Sequence, residues 1–176
     1  MTLFLLALAL SVGDLPLARL SVQAPMPPAG QARPVEGRAA IGVFGGWGAF
    51  SDASPRRCYA IAGPDRPRGS RGFAAVSDWP GQDVHNQFHV RLSRARHPRG
   101  RVMLSVGERR FELVAGDRDA WAPDVRTDRA IVAAMRSERS MSVETTAADG
   151  RAMVDVYALS GAATAIDAAA LACVAR

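Results

Sequence analysis

Residues 141–158 read MSVETTAADGRAMVDVYA, and this stretch decides the fold class. Two runs of alternating apolar and polar residues flank Asp149-Gly150, a dipeptide suited to a type I′ turn between antiparallel strands. The spacing predicts strands over 141–147 and 151–158. In the second, Val154, Val156 and Ala158 face one way and Met153, Asp155 and Tyr157 the other.

Working outward from this hairpin, a period of two dominates the chain. Val102, Leu104 and Val106 share a face, Gly107-Glu108 supplies the pair expected of a type II′ turn, and Phe111 and Leu113 mark the returning strand. Phe73, Ala75, Ser77 and Trp79 alternate with Ala74, Val76 and Asp78. Weaker strand patterns cover 42–50, 57–62 and 86–93. Two helices fit between and after the strands. Thr127 is placed to cap a short one through about Arg136, with Ile131, Ala134 and Met135 on one side and Asp128 near the positive end of its dipole. Ser160 is placed to cap the Ala-rich run 161–174. Connections are short and strand and helix do not alternate, so the expected fold is a mainly β antiparallel β-sandwich with a short mid-chain helix and a C-terminal helix.

The C-terminal helix carries one of only two cysteines. Ala162, Ile166, Ala169 and Cys173 fall on one stripe, because eleven residues bring a helix back nearly to the same azimuth. Cys173 therefore points at the sheet, where Cys58 is its single possible partner within the chain. A Cys58–Cys173 bridge depends on an oxidising compartment. Residues 3–10, LFLLALAL, have the length of a signal-peptide h-region and are too short to span a bilayer. No Lys or Arg precedes the run. Residues 1–24 are read as a signal peptide, 25–40 as a Pro-rich linker and 41–176 as one domain, which places the protein in the periplasm or outside the cell. The competing readings are an uncleaved anchor and a cytosolic protein with a buried N-terminal strand.

The chain has 176 residues and a net charge of +5, and no Lys contributes to it: all 22 basic residues are Arg, dispersed among 17 acids. Dispersed arginine accompanies a GC-rich coding sequence and specifies no partner. Two stretches are denser, 64–72 (PDRPRGSRG) and 91–101 (RLSRARHPRGR). Arg91, Arg94, Arg96, Arg99 and Arg101 are the candidate anion-binding residues, for an envelope glycan, lipid or protein component; the alternative is a solvated hairpin edge. No aromatic residue interleaves with these arginines, so a nucleic-acid platform is not expected.

Catalytic patterns are absent: there is no G-x-S-x-G, S-x-x-K or H-E-x-x-H. No cofactor is expected. The one constellation that allows an alternative is Asp83, His85 and His89, a possible ligand set for a metal-dependent hydrolase built on the same sandwich; exposed strand residues are the simpler account. Asp155, set among apolar neighbours, calls for a cross-strand partner such as an arginine, and Asp167 for an arginine of the sheet. Trp47, Trp79 and Trp121 are read as core or rim aromatics.

Three segments together resemble a known family. Gly45-Gly46-Trp47-Gly48-Ala49-Phe50, Arg57-Cys58-Tyr59-Ala60-Ile61 and Leu159-Ser160-Gly161 through Ala170 with Cys173 are similar to the invasion-associated locus B family of exported alphaproteobacterial proteins. Arg110-Phe111-Glu112-Leu113, Trp121 and Ala130–Arg136 extend the likeness over residues 42–174. Its main group has an acid before the first Trp and a Cys soon after it. Here Gly46 precedes Trp47 and Cys58 follows eleven residues later, which marks a divergent branch. The resemblance implies an envelope or secreted β-sandwich with no established enzymatic activity, and supplies no catalytic residues.

Overall fold

A computed structural model describes residues 37–66 and 72–174. The expected signal peptide, most of the Pro-rich linker and part of the arginine stretch at 64–72 lie outside the described residues. The strands are β1 (Arg38–Phe44), β2 (Trp47–Ala53), β3 (Arg56–Ala62), β4 (Phe73–Trp79), β5 (Val84–Arg91), β6 (Val102–Val106), β7 (Arg109–Ala115), β8 (Asp119–Trp121), β9 (Ser140–Thr146) and β10 (Ala152–Ala158). Helix α1 (Val125–Ser137) links β8 to β9, and α2 (Ala162–Val174) follows β10. Strand β1 begins at Arg38, so residues 38–40 belong to the sheet and not to the linker.

The ten strands form one antiparallel sheet in the order β1-β2-β3-β4-β5-β8-β7-β6-β9-β10. The three-residue strand β8 joins the two halves, pairing with β5 through Val90↔Ala120 and with β7 through Val114↔Trp121. The two ends of the strand order approach each other. Trp47 on β2 donates its indole N–H to the carbonyl of Ala158 at the end of β10, at 2.9 Å. Asp65, just after β3, donates its N–H to Val156 O at 2.8 Å, and its carboxylate accepts from Ala158 N at 3.1 Å. The sheet thus closes on a single core built from both halves, with Trp47, Phe88, Leu92, Leu104, Met141 and Tyr157 fully buried.

Two glycines permit that closure. Gly161 has φ +85°, and a Cβ there would run into the carbonyl of Phe44; a Cβ on Gly45 would meet the carbonyl of Ser160. The β1–β2 turn and the β10–α2 turn therefore touch backbone to backbone, which only residues lacking a Cβ allow.

Helix starts differ from the sequence expectation by a few residues. Asp124, not Thr127, caps α1: its carboxylate accepts the Thr127 N–H at 2.7 Å. This bond holds the Asp124 carboxyl below the usual carboxylate range. Helix α2 begins at Ala162, with Gly161 rather than Ser160 in the preceding position and its carbonyl taking the first helical bond from Ala165. Turn chemistry differs once. In the 107–108 turn Gly107 has φ +56° and Val106 pairs with Arg109, as expected. At 147–150 only Gly150 has positive φ, +79°, and its N–H bonds Ala147 O at 2.9 Å. The connection is a type I turn followed by a left-handed Gly, not a type I′ pair, because Asp149 keeps negative φ and uses its carboxylate to accept Arg151 N at 3.0 Å.

Helix α2 lies against the inner face of the first strands by the stripe Ala162, Ala165, Ile166, Ala169 and Cys173. Four of these five side chains are as small as Ala or Cys, so the helix sits close to the sheet but contributes few apolar contacts. The Cys58–Cys173 disulfide, with Cα atoms 5.8 Å apart, fastens its last turn to β3. Closing a loop over a separation of 115 residues stabilises the fold by about 5 kcal/mol in the chain-entropy account. Arg56 adds a second tie by donating to Cys173 O at 2.5 Å.

Candidate functional site

The dense arginine stretch at 91–101 does not project as one row of free cations. Arg96 is turned inward on the loop and donates to the carbonyls of Gly116 (2.6 Å), Pro98 (2.8 Å), Ala115 (2.9 Å), His97 (3.0 Å) and Gly100 (3.0 Å). Its guanidinium is a staple for loop backbone. Arg91 is paired with Asp119 at 3.1 Å, Arg94 with Asp149 at 3.4 Å, and Arg101 forms a two-bond fork with Glu112 at 2.9 Å each. Arg99 is the exposed member for which no carboxylate partner occurs among the described residues. The period-two spacing of Arg94 and Arg96 concealed this, because residues 92–101 form an irregular segment rather than a strand and their backbone carbonyls need donors.

The same segment is anchored from below. Asp155 on β10 is buried, and its carboxylate accepts the Ser93 N–H at 2.8 Å and the Ser93 hydroxyl at 2.5 Å. The partner of this buried acid is thus a serine, not an arginine. Tyr157, two residues on and fully buried, has a hydroxyl with no partner among the described residues; burial and the nearby Asp155 push its pKa up. Asp128 has a similar task on α1, accepting the Phe88 N–H at 2.7 Å across the core. Burial raises its pKa, against the lowering effect of that N–H. Asp167 pairs with Arg136 of α1 at 2.7 Å rather than with an arginine of the sheet.

Asp83, His85 and His89 do not converge. A register shift between Ser77 and Trp79 in the β4–β5 ladder, with Asn86 at φ +57°, breaks the alternation between the two histidines. His85 is exposed, with its ring nitrogens 3.5 Å from Asp78 and 3.5 Å from Asp83. His89 instead contacts Asp119 at 3.0 Å. Among the described residues no three His, Cys, Asp or Glu side chains are grouped as a metal ion would require. The hydrolase alternative lacks its ligand set.

What the strand pairing does assemble is an aromatic and arginine surface on the outer face of β2, β3, β4, β5 and β8. Register aligns Phe50, Tyr59, Ser77 and Gln87 in one row, and Ile61, Ala75, His89, Trp121 and Val114 in the next. His89 stacks on Trp121 with ring centres 5.0 Å apart and planes 7° from parallel, and Phe73 meets its edge at 5.2 Å. Phe50 stacks on Tyr59 at 5.7 Å, and the Arg57 guanidinium lies over Tyr59 at 3.9 Å and Trp79 at 5.0 Å. Asp52 is shared by Arg38 (2.8 Å) and Arg57 (3.3 Å). Burial holds the His89 pKa below 6.5, outweighing Asp119, so the ring is neutral at pH 7.

Sequence reasoning placed Trp79 and Trp121 at core or rim without joining them to arginines. The signal was present as period-two triplets, Arg57-x-Tyr59-x-Ile61 and His89-x-Arg91 opposite Asp119-x-Trp121, but their alignment depends on strand order. Trp47 alone of the tryptophans is fully buried.

Comparison with protein-family models, with curated proteins and with solved structures finds no match to this chain. No helix among the described residues is long and apolar enough to cross a membrane.

Proposed function

We propose that this is an exported, non-enzymatic protein of the bacterial envelope, of the kind the invasion-associated locus B resemblance implies, that binds an anionic envelope component. The observation that carries the export reading is the Cys58–Cys173 disulfide: it joins β3 to the last turn of α2, and disulfides of this structural kind persist in oxidising compartments. The h-region-like run at 3–10 supports the same address. The binding reading rests on charge, a net +5 with arginine as the only strong cation. The outer aromatic–arginine face sets part of that charge beside rings and hydrogen-bonding groups able to hold a ligand.

Fractionation of cells producing the full chain with a C-terminal tag tests the address. The expected product is periplasmic or envelope-associated and shortened at its N-terminus. A full-length product confined to the cytosol would remove the proposal.

A further inference from the structure

The outer face of β2–β5 and β8 is a chemically mixed surface, and the mixture identifies what it fits. Planar rings (Phe50, Tyr59, Trp79, Phe73, His89, Trp121) alternate with guanidiniums (Arg38, Arg57, Arg91), and two carboxylates (Asp52, Asp119) stand between them. Helix α2 lies on the opposite face, where Cys58 meets Cys173, and no described helix packs on this one. Trp121 remains 37% exposed although it stacks on His89, and its neighbour on the far side, Val114, is 60% exposed. Tryptophan and arginine are the residues most concentrated where surfaces bind partners.

Charge on the face is unbalanced. Arg38 and Arg57 converge on the single carboxylate of Asp52, and Arg91 takes Asp119, which His89 also contacts. Arg57 Nε is buried with no partner among the described residues. The face therefore carries one cation more than it neutralises, in the form of guanidiniums with forked donors that match a carboxylate or sulfate. A nucleic acid or a polyphosphate would bring charge at every repeat, and the interleaved Asp52 and Asp119 would repel it. A polyol with sparse anionic groups fits both parts: Arg38, Arg57 and Arg91 take the anion, Asp52, Asp119 and Gln87 accept hydrogen bonds from hydroxyls, and exposed ring surface, Trp121 first, packs on C–H faces.

We infer that this face, and not the 91–101 arginine segment as a whole, is a docking site for an acidic oligosaccharide. The inference rests on the anionic-component reading and gives it a location and a ligand class. Neighbouring strands present side chains about 4.8 Å apart; Tyr59, Ser77 and Ala75 form the buried floor of the two rows, and Phe50, Gln87, His89, Trp121 and Val114 are the accessible positions that a saccharide chain meets across the sheet. Arg91 is the one residue shared with the sequence-derived candidates.

The test is calorimetric titration of the exported protein with a uronic-acid polymer in which the acidic sugar alternates with neutral ones, at low and at physiological salt, with a neutral glucan and poly-glutamate as comparators. The expected result is salt-sensitive binding of the uronic-acid polymer that exceeds binding of both comparators. Arg57→Ser with Arg91→Ser should weaken it by about tenfold or more. Trp121→Ala, exposed and outside the core, should weaken it comparably while leaving the salt slope unchanged, and it keeps the test alive if the double variant fails to fold. Arg99→Ser with Arg101→Ser should bind as the parent does. Loss of binding in the Arg99/Arg101 variant with none in the face variants would overturn the location and leave the anionic-component reading standing. Equal binding of poly-glutamate would overturn the saccharide assignment. Failure of the parent protein to bind any anionic polymer would overturn the underlying reading together with this one.

Discussion

Replacing Asp155 with alanine should destabilise the domain by about 3–5 kcal/mol, and the figure can be built from the contacts. The carboxylate sits in the core on β10 and accepts two hydrogen bonds from Ser93, one from the backbone N–H at 2.8 Å and one from the hydroxyl at 2.5 Å. Hydrogen bonds to a charged group contribute about 1.5–3 kcal/mol each, and a buried donor that loses its acceptor adds its own desolvation cost. Against this stands relief from holding a buried carboxylate, which lowers the net cost. Asp155→Asn keeps an acceptor oxygen but loses the charge, and should cost about half as much. Ser93→Ala removes only the hydroxyl and should cost about 1 kcal/mol. Equilibrium urea unfolding of the three variants and of the Asp155→Ala/Ser93→Ala pair supplies a double-mutant cycle, with a coupling energy expected at about 1 kcal/mol or more. A cost below about 1 kcal/mol for Asp155→Ala, or zero coupling, would refute the idea that this acid anchors the segment at 92–101.

Three further outcomes follow from the same geometry. Cys58→Ser with Cys173→Ser should lower stability by about 5 kcal/mol and Tm by about 15 °C, read by calorimetry, with the far-ultraviolet spectrum of the sheet retained. Gly161→Ala should cost about 3 kcal/mol in chemical unfolding, because φ +85° and the Phe44 carbonyl both exclude a Cβ; Gly46→Ala in the adjoining turn, where a Cβ meets nothing, should cost far less. Burial lowers the His89 pKa in the fold, so its contribution is fully present above the unfolded value of 6.5 and is lost as pH falls through the folded value. The stability-against-pH curve of the parent should therefore decline below 6.5, and His89→Gln should remove that part of the decline.

Strands such as β6 and β10 were legible because one face is buried and the other is not, which imposes alternation on the residues themselves. Met153, Asp155 and Tyr157 show where that signal stops. The alternation set them apart from Val154 and Val156 without saying which set faces the core. The structure turns the valines out on an edge strand and buries the acid, because Ser93, sixty-two residues away in sequence, supplies its donors. The meeting of Cys58 and Cys173 was legible for a related reason: a helix stripe has a fixed direction, and a chain with two cysteines has one pairing. The joining of two half-sheets through a three-residue strand was not, since Asp119–Trp121 is too short to establish a period. The arginines at 91–101 were legible as charge but not as partners. Five carbonyls around Arg96 are a property of loop geometry that no side-chain pattern encodes. The aromatic–arginine face was hidden for the same reason, being assembled by strand order from segments far apart in the chain.

An oxidised Cys58–Cys173 pair holds the last helix to the sheet, and the proposed export rests on it. Alkylating the protein without reductant as it is recovered from cells, digesting it, and identifying the cysteine peptides by mass tests that directly. The prediction is a single linked pair containing Cys58 and Cys173, with no alkylated thiol, in periplasmic or envelope material. Two alkylated cysteines in the protein as it occurs in the cell would contradict both the fastening of α2 and the compartment inferred from it.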